Sequence, residues 1–89
     1  MEIIFLGYAD YNFDSNDGNH IDGIKFFYFF QSTKSNYKGF EVGGIFVPRT
    51  RNDQISEVQK CIPLQHYRLN MGYDGRKAVF LGLDLIKAA

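Results

Sequence analysis

The chain has 89 residues, the length of one compact domain, and no linker or repeat divides residues 1–89. Its 45% hydrophobic content, with nine Phe and six Tyr residues, excludes an intrinsically disordered protein. Ten basic and ten acidic side chains give a formal net charge of zero, which argues against a duplex-DNA-binding protein that depends on high positive charge.

The first three predicted elements are β-strands joined by hairpin loops. Residues 2–13 alternate among β-branched and aromatic residues and predict the first strand, which the turn-forming stretch DSNDGNH follows. A second strand is predicted over residues 21–32, and the polar loop 33–39 leads into a third strand, FEVGGIFVP. Gly43-Gly44 in that strand predicts a bulge or bend.

A short helix is predicted between residues 50 and 64. Ile55, Val58 and Ile62 fall at helical spacings of three and four, and Asn52 or Asp53 would serve as the N-cap.

Two further strands complete the chain, joined by a turn at Asp74-Gly75. In the fourth, HYRLNMGY, alternate residues starting with Tyr67 share one face. In the fifth, the alternation predicts that Val79, Leu81, Leu83 and Leu85 face inward and that Phe80 lies on the opposite face.

The order of three strands, one short helix and two strands is that of a five-stranded OB-like Greek-key barrel, an all-β fold with one short helix. An SH3-like barrel is the main alternative. Both describe a single domain.

Catalytic and metal-binding motifs are not evident in the sequence. The acidic loop 14–22 lacks the ligand spacing of a calcium loop, and His20, His66 and Cys61 are too widely separated for a zinc motif. Phosphate-binding loops and a nucleophile elbow are also missing. The sequence therefore predicts a protein that is not an enzyme and uses no cofactor or metal.

The second strand carries five consecutive aromatic residues, Phe26 to Phe30. Because side chains alternate along a strand, Ile24, Phe26, Tyr28 and Phe30 form one face, predicted to be core, and Lys25, Phe27, Phe29 and Gln31 form the other. A barrel interior would not accept an unpaired lysine, so Phe27 and Phe29 are predicted to be partly exposed.

Exposed rings beside cations are typical of surfaces that bind single-stranded nucleic acid, where bases stack on rings and cations contact phosphates. The candidate nucleic-acid-binding residues are Lys25, Phe27, Phe29, Tyr37, Lys38, Arg49, Arg51, Arg68 and Phe80. The alternative to nucleic-acid binding is that these residues have only structural roles. Phe27 and Phe29 would then be buried under the helix, under a curled first strand or in a homodimer interface. The arginines would simply face water, and Tyr37 would pack on its own hairpin.

Cellular location is predicted from three features of the sequence. The single Cys61 cannot form an intramolecular disulfide, and the first ten residues do not form a basic and apolar leader. No apolar run approaches the roughly 20 residues that a bilayer-spanning helix requires. These features predict a cytoplasmic protein without a membrane partner.

The stretches YADYNFDSNDGNHIDGIKFFY, GFEVGGIFVP and YRLNMGYDGRKAVFLGLDLI resemble small single-stranded-DNA-binding proteins of mobile elements. These are the gene-V-like helix-destabilising proteins of filamentous phages and related replication proteins of Gram-positive plasmids and phages. The resemblance implies an OB-like homodimer that coats single strands during replication, with Tyr37 and Lys38 in a wing-like loop, 33–39. This chain differs from that pattern in having no net positive charge.

The leading hypothesis is therefore sequence-independent binding of single-stranded nucleic acid, DNA rather than RNA, without a small-molecule substrate. The alternative is a protein-binding module, such as a phage-encoded inhibitor or assembly subunit, that uses the same exposed rings as anchors.

Overall fold

The structure is a computed structural model that describes residues 1–86, apart from the side chain of residue 77. The described residues form five β-strands and one α-helix. In chain order they are β1 (Glu2–Asp14), β2 (His20–Gln31), β3 (Phe40–Pro48), α1 (Asn52–Gln59), β4 (His66–Asp74) and β5 (Lys77–Leu85).

All strand pairs are antiparallel, and the sheet order is β3-β2-β1-β4-β5. The long strand β1 is shared: its first residues pair with β4, and its remainder pairs with β2. The prediction of a five-stranded antiparallel β-protein with one short helix is confirmed. Within residues 1–86 the sheet is open, because no ladder joins β3 to β5, so the predicted barrel closure is not seen there.

The hydrophobic core lies between α1 and one face of the sheet. Ile55 and Val58 of α1 are buried against residues from all five strands. The core residues are Ile3, Phe5, Ile24, Phe26, Tyr28, Val47, Ile55, Val58, Tyr67, Leu69, Phe80 and Leu83. We call the sheet surface on the opposite side from α1 the outer face.

The helix is shorter than the sequence predicts. It ends at Gln59, with Lys60 as its C-cap, and Ile62 lies beyond it with 59% of its surface exposed. The N-cap is Arg51, rather than the predicted Asn52 or Asp53. The spacing of Ile55 and Val58 locates the helix correctly but does not mark its ends, since these depend on local backbone bonding. No helix in the described part of the chain has the length and apolar character needed to cross a bilayer.

Of the bulge or bend predicted at Gly43-Gly44, strand β3 has no bulge. Its register with β2 is unbroken from Pro48 to Phe40. The first glycine instead makes room for a core ring, because a Cβ atom at Gly43 would lie 2.5 Å from the Tyr28 ring.

Strand β5 does contain an irregularity, which overturns the predicted orientation of Phe80. Asn70 pairs with Gly82 but Met71 pairs with Phe80, so Leu81 is an extra residue in β5. Such a bulge reverses the alternation of side chains. Phe80 is therefore buried, with its ring centroid 5.2 Å from that of Phe26, whereas Leu81 is 55% exposed.

The hairpin turns are close to their predicted places. Residues 15–19 connect β1 to β2, and Gly18 adopts a positive φ of 87° there. In the last hairpin Asp74 pairs with Lys77, so the two turn residues are Gly75 and Arg76, one position later than predicted. Gly75 has a φ of 65°, which glycine adopts without strain.

Candidate nucleic-acid interface

The alternation predicted for β2 is confirmed. Ile24 and Phe26 are fully buried and Tyr28 is 8% exposed, all on the core side. Phe27 and Phe29 lie on the outer face and are half-buried. Their rings therefore keep accessible surface in the single chain.

Strand β3 adds apolar side chains that the sequence analysis missed. In an antiparallel ladder, directly paired residues project to the same side of the sheet. Phe29 pairs with Val42, and the outer-face residues Gln31 and Lys25 pair with Phe40 and Phe46, respectively. Phe40 is 54% exposed, Val42 is 62% exposed and Phe46 is 40% exposed. The signal was present as every second residue of FEVGGIF, but it becomes informative only once β3 is placed beside β2.

Lys25 lies among these rings. Its ammonium nitrogen is 5.5 Å from the centroid of the Phe27 ring, within the range of a cation–π interaction. Its aliphatic stem lies over Gly44, where an added Cβ would be 2.9 Å from the Lys25 Cε atom. A positive charge is thus held next to an aromatic surface, as the sequence predicts.

Strand β1 extends the same surface because of a bulge. The register with β2 shifts between Phe5 and Gly7, so Leu6 is an extra residue and the alternation reverses after it. Tyr11 and Phe13 are consequently on the outer face, with ring centroids 6.1 Å apart. Without the bulge they would share the core side with Phe5.

We call this outer-face set the aromatic platform. It consists of Tyr11, Phe13, Phe27, Phe29, Phe40, Val42 and Phe46 on β1, β2 and β3. The rings of Phe27 and Phe29, two positions apart on one strand, are separated by about 7 Å of strand length.

Arg49 does not join the platform, contrary to the prediction. It follows β3 on the core-facing side, where its Nε donates to Asp22 at 3.1 Å and its Nη2 donates to Asp10. These two bonds raise the pKa of Arg49, the bond to Asp22 contributing most. Two carboxylates thus offset one guanidinium, and this site offers no excess positive charge to a phosphate.

The other two predicted arginines lie apart from one another. Arg51 is at the start of α1, with Nη1 3.5 Å from the carbonyl oxygen of Phe80, and borders a cleft of about 360 Å³ between β3 and β5. Arg68 is exposed on the outer face of β4, paired in the ladder with Glu2 and Asp84. Of these two arginines, only Arg68 lies on the same face of the sheet as Lys25. Its strand, β4, is two positions from β2 in the sheet.

The loop between β2 and β3 brings Tyr37 and Lys38 to one end of the platform. Both residues are exposed, and the Tyr37 hydroxyl donates to the carbonyl oxygen of Phe40 at 2.9 Å. Lys34 in the same loop bonds to Glu41 at 2.9 Å, an interaction that raises the pKa of the lysine. Tyr37 is therefore tied to its own hairpin while about half of its surface faces solvent.

Phe80, the remaining predicted residue, is 3% exposed and belongs to the core. The structure thus brings Lys25, Phe27 and Phe29 together and places Tyr37 and Lys38 next to the platform. It separates Phe80 from that surface.

A larger cleft, with a volume of about 680 Å³, is on the other side of the molecule. It lies between α1, the segment after α1, and β5. The Glu57 carboxylate that borders it accepts the backbone N–H of Leu83 at 2.8 Å, and burial raises the pKa of the Cys61 thiol. The His66 ring lies 3.3 Å from a carboxylate oxygen of Glu2. In residues 1–86, leaving aside the side chain of residue 77, no three His, Cys, Asp or Glu side chains cluster as metal ligands would.

Comparisons of the chain with protein-family models, curated proteins and solved structures returned no match. The resemblance to small single-stranded-DNA-binding proteins therefore stays a prediction, and function is inferred from the geometry of the platform.

Proposed function

We propose that this protein binds single-stranded nucleic acid without sequence preference, and DNA more strongly than RNA, through the aromatic platform. The observation that carries the proposal is the position of Lys25 beside Phe27, in line with Phe29, on a face that α1 leaves uncovered. The exposed ring of Phe46 lies on the same face.

The chemistry of bases suits this surface. Every base has a π-face, and stacking on an aromatic side chain contributes about 1–3 kcal/mol per base, largely independent of sequence. Phe27 and Phe29 are about 7 Å apart along β2, so each ring can accept a different base. Lys25, next to Phe27 on the side away from Phe29, supplies a cation for a phosphate beside the base on Phe27.

The proposed fold is an OB-like barrel that is open along one seam. OB domains bind oligonucleotides on the face of their second and third strands, and β2 and β3 carry most of the platform. In this proposal the cleft between β3 and β5 marks the seam. The cellular role that the resemblance implies, coating single strands during replication of a phage or mobile element, belongs to the same proposal.

The decisive test is a fluorescence titration of labelled oligo-dT at two salt concentrations, with oligo-rU for comparison. We expect binding at micromolar protein in low salt. Because Arg49 is held by two carboxylates, we expect about two to four neutralised phosphates, which corresponds to a log–log salt slope of about −1.4 to −2.8. No binding in low salt would refute the proposal, and tighter binding of oligo-rU would refute the preference for DNA.

A second candidate function is a protein-binding module, such as a phage-encoded inhibitor or an assembly subunit. The observation that favours it is the pairing of Arg49 with Asp10 and Asp22, which leaves an apolar platform with few nearby cations. Exposed aromatic side chains are common anchors of protein interfaces. Affinity capture from a host lysate, with and without nuclease, distinguishes the two functions. Material bound through nucleic acid is lost after nuclease treatment, whereas a direct protein partner is retained.

A further inference from the structure

The two edges of the sheet differ in how their backbone groups are satisfied. At the β5 edge, side chains of α1 bond to the strand: Glu57 accepts the N–H of Leu83 at 2.8 Å, and Gln54 donates to the carbonyl oxygen of Phe80 at 3.1 Å. This edge is therefore covered by the helix, one of the ways in which proteins protect edge strands.

The β3 edge has no side chain of α1 bonded to it. The Tyr37 hydroxyl reaches Phe40 at one end of this edge, and a cleft of about 360 Å³ separates the Phe46 end from β5. The Ser32 N–H donates to the carbonyl oxygen of Gly39, and the Arg49 N–H donates to that of Asp22. These two bonds identify which residue pairs of the antiparallel ladder are hydrogen-bonded. The odd-numbered residues of β3 therefore bond to β2, and the even-numbered residues point their N–H and C=O groups away from it. The outward-pointing residues are Phe40, Val42, Gly44 and Phe46.

One further hydrogen bond independently supports this assignment of the outward-pointing residues. The Tyr37 hydroxyl reaches the carbonyl oxygen of Phe40, which requires that oxygen to point away from β2. Within the described residues, no hydrogen bond is made by the outward N–H and C=O groups of Val42, Gly44 and Phe46.

Strand β3 has few of the features that usually prevent edge pairing. It has nine residues, a regular register and no lysine, and its Pro48 is the last residue. Its single charged residue, Glu41, is on the core side and bonds to Lys34. A regular edge of this length, whose outward-pointing residues carry no charge, is a template for a further strand.

We propose that β3 pairs antiparallel with β3 of a second copy of this chain, about a twofold axis at Gly43. In this register Phe40 lies opposite the partner's Phe46, and Val42 lies opposite the partner's Gly44. Each of these pairs has both N–H groups free to exchange hydrogen bonds. A register centred on Gly44 would place Phe40 opposite a proline, which has no N–H to donate.

A second copy fits this edge better than a charged partner does. The outward residues carry no charge, so identical strands oppose no like charges and a charged segment would gain no complement. The net charge of zero gives two copies no overall repulsion. Pairing also brings Phe40 next to the partner's Phe46, a favourable cross-strand aromatic contact.

The dimer does not depend on nucleic-acid binding. Phe27 and Phe29 lie one strand away from the paired edge and stay uncovered, so two copies would join two aromatic platforms on one continuous face. Failure of the oligo-dT titration would leave the dimer intact, and a monomer could still bind oligo-dT.

The test is sedimentation equilibrium of nuclease-treated protein, with two variants of β3 and a matched variant of β5. We expect the natural chain to sediment at about twice its 10.3 kDa mass. Val42→Lys, which places two lysines near the axis, and Val42→Pro, which removes an outward N–H, should be monomers with unchanged circular dichroism. Leu81→Lys, at an exposed position of β5, should stay dimeric.

A natural chain that is monomeric at 100 μM, or a dimer that survives both Val42 substitutions, would overturn the proposal. The register is tested by mixing Phe40→Cys and Phe46→Cys variants, both with Cys61→Ser, under copper–phenanthroline oxidation. A disulfide-linked heterodimer is expected. Linkage of Phe46→Cys to Val42→Cys instead would reject the Gly43 axis.

Discussion

Phe27 is the residue whose loss should separate binding from folding. Its ring is half-buried on the outer face, so Phe27→Ala removes a stacking surface while the core stays filled. We expect about 5- to 150-fold weaker oligo-dT binding, the equivalent of one stacked base. Tyr73→Ala, at a 79% exposed position in the last hairpin, is the control and should bind normally. Equal effects of the two substitutions would contradict a role for the platform.

Two adjacent glycines should differ in their tolerance of a methyl group. A Cβ at Gly43 would lie 2.5 Å from the buried Tyr28 ring. A Cβ at Gly44 would lie 2.9 Å from the flexible end of Lys25 and 3.3 Å from the edge of the half-buried Phe27 ring. We expect Gly43→Ala to destabilise the fold by about 1–3 kcal/mol, as overpacking does, and Gly44→Ala to change stability by less than about 0.5 kcal/mol. Urea denaturation measures both. Equal costs would show that the Tyr28 ring is not confined.

Cys61 should be a slowly reacting thiol. Burial raises its pKa, the desolvation of the thiolate being the main cause, so less thiolate is present at any given pH. We expect slower alkylation by iodoacetamide at pH 8 than in a Cys61→Ser, Ser56→Cys double variant, whose thiol is on the exposed side of α1. Faster reaction of Cys61 in the folded chain would refute its burial.

At the scale of single elements, one extra residue in β5 changes the role of a phenylalanine. The bulge at Leu81 turns Phe80 into the core, where its ring packs on Phe26. We therefore expect Phe80→Ala to cost about 3–5 kcal/mol of folding free energy. Binding of oligo-dT under conditions where the variant is still folded should be unchanged. A stable variant with weak binding would instead support the orientation that simple alternation predicts.

The same principle explains the extent of the platform. Strict alternation in β1 would direct Tyr11 and Phe13 to the side of Phe5, and the bulge at Leu6 sends them to the outer face. Three strands therefore contribute rings to one surface, whereas the sequence predicted those of β2 and, wrongly, Phe80 of β5.

At the scale of the whole molecule, the proposed dimer makes a specific prediction for amide hydrogen exchange. The amides of Gly44 and Phe46 point away from β2 and should be protected only when a second copy is paired. Those of Ile45 and Val47 bond to β2 and should be protected in any state. We expect the first pair to be slow in the natural chain and fast in Val42→Lys, with the second pair slow in both. Fast exchange of Gly44 and Phe46 in the natural chain would exclude the paired edge.

Charge is also distributed in a way that only the whole molecule reveals. The sequence contains equal numbers of acidic and basic side chains but does not show which of them meet. Folding brings Asp10, Asp22 and Arg49 together from three strands or strand ends. The predicted set of phosphate contacts is reduced accordingly.

The sequence by itself determined the features that depend on near neighbours. Hairpin-forming residues, the approximate bounds of the strands and the two faces of β2 follow from local conformational preference and from the period of two along a strand. The confirmed separation of Phe26 and Tyr28 from Phe27 and Phe29 is of this kind.

Only the tertiary structure decided the features that depend on pairing between distant segments. The bulges at Leu6 and Leu81 reverse alternation because a neighbouring strand imposes its register, and β3 contributes to the platform because it lies beside β2. The burial of Phe80, the pairing of Arg49 and the contrast between the covered β5 edge and the open β3 edge all arise in this way. The local sequence does not indicate which backbone groups are left without a hydrogen-bond partner once the sheet has formed.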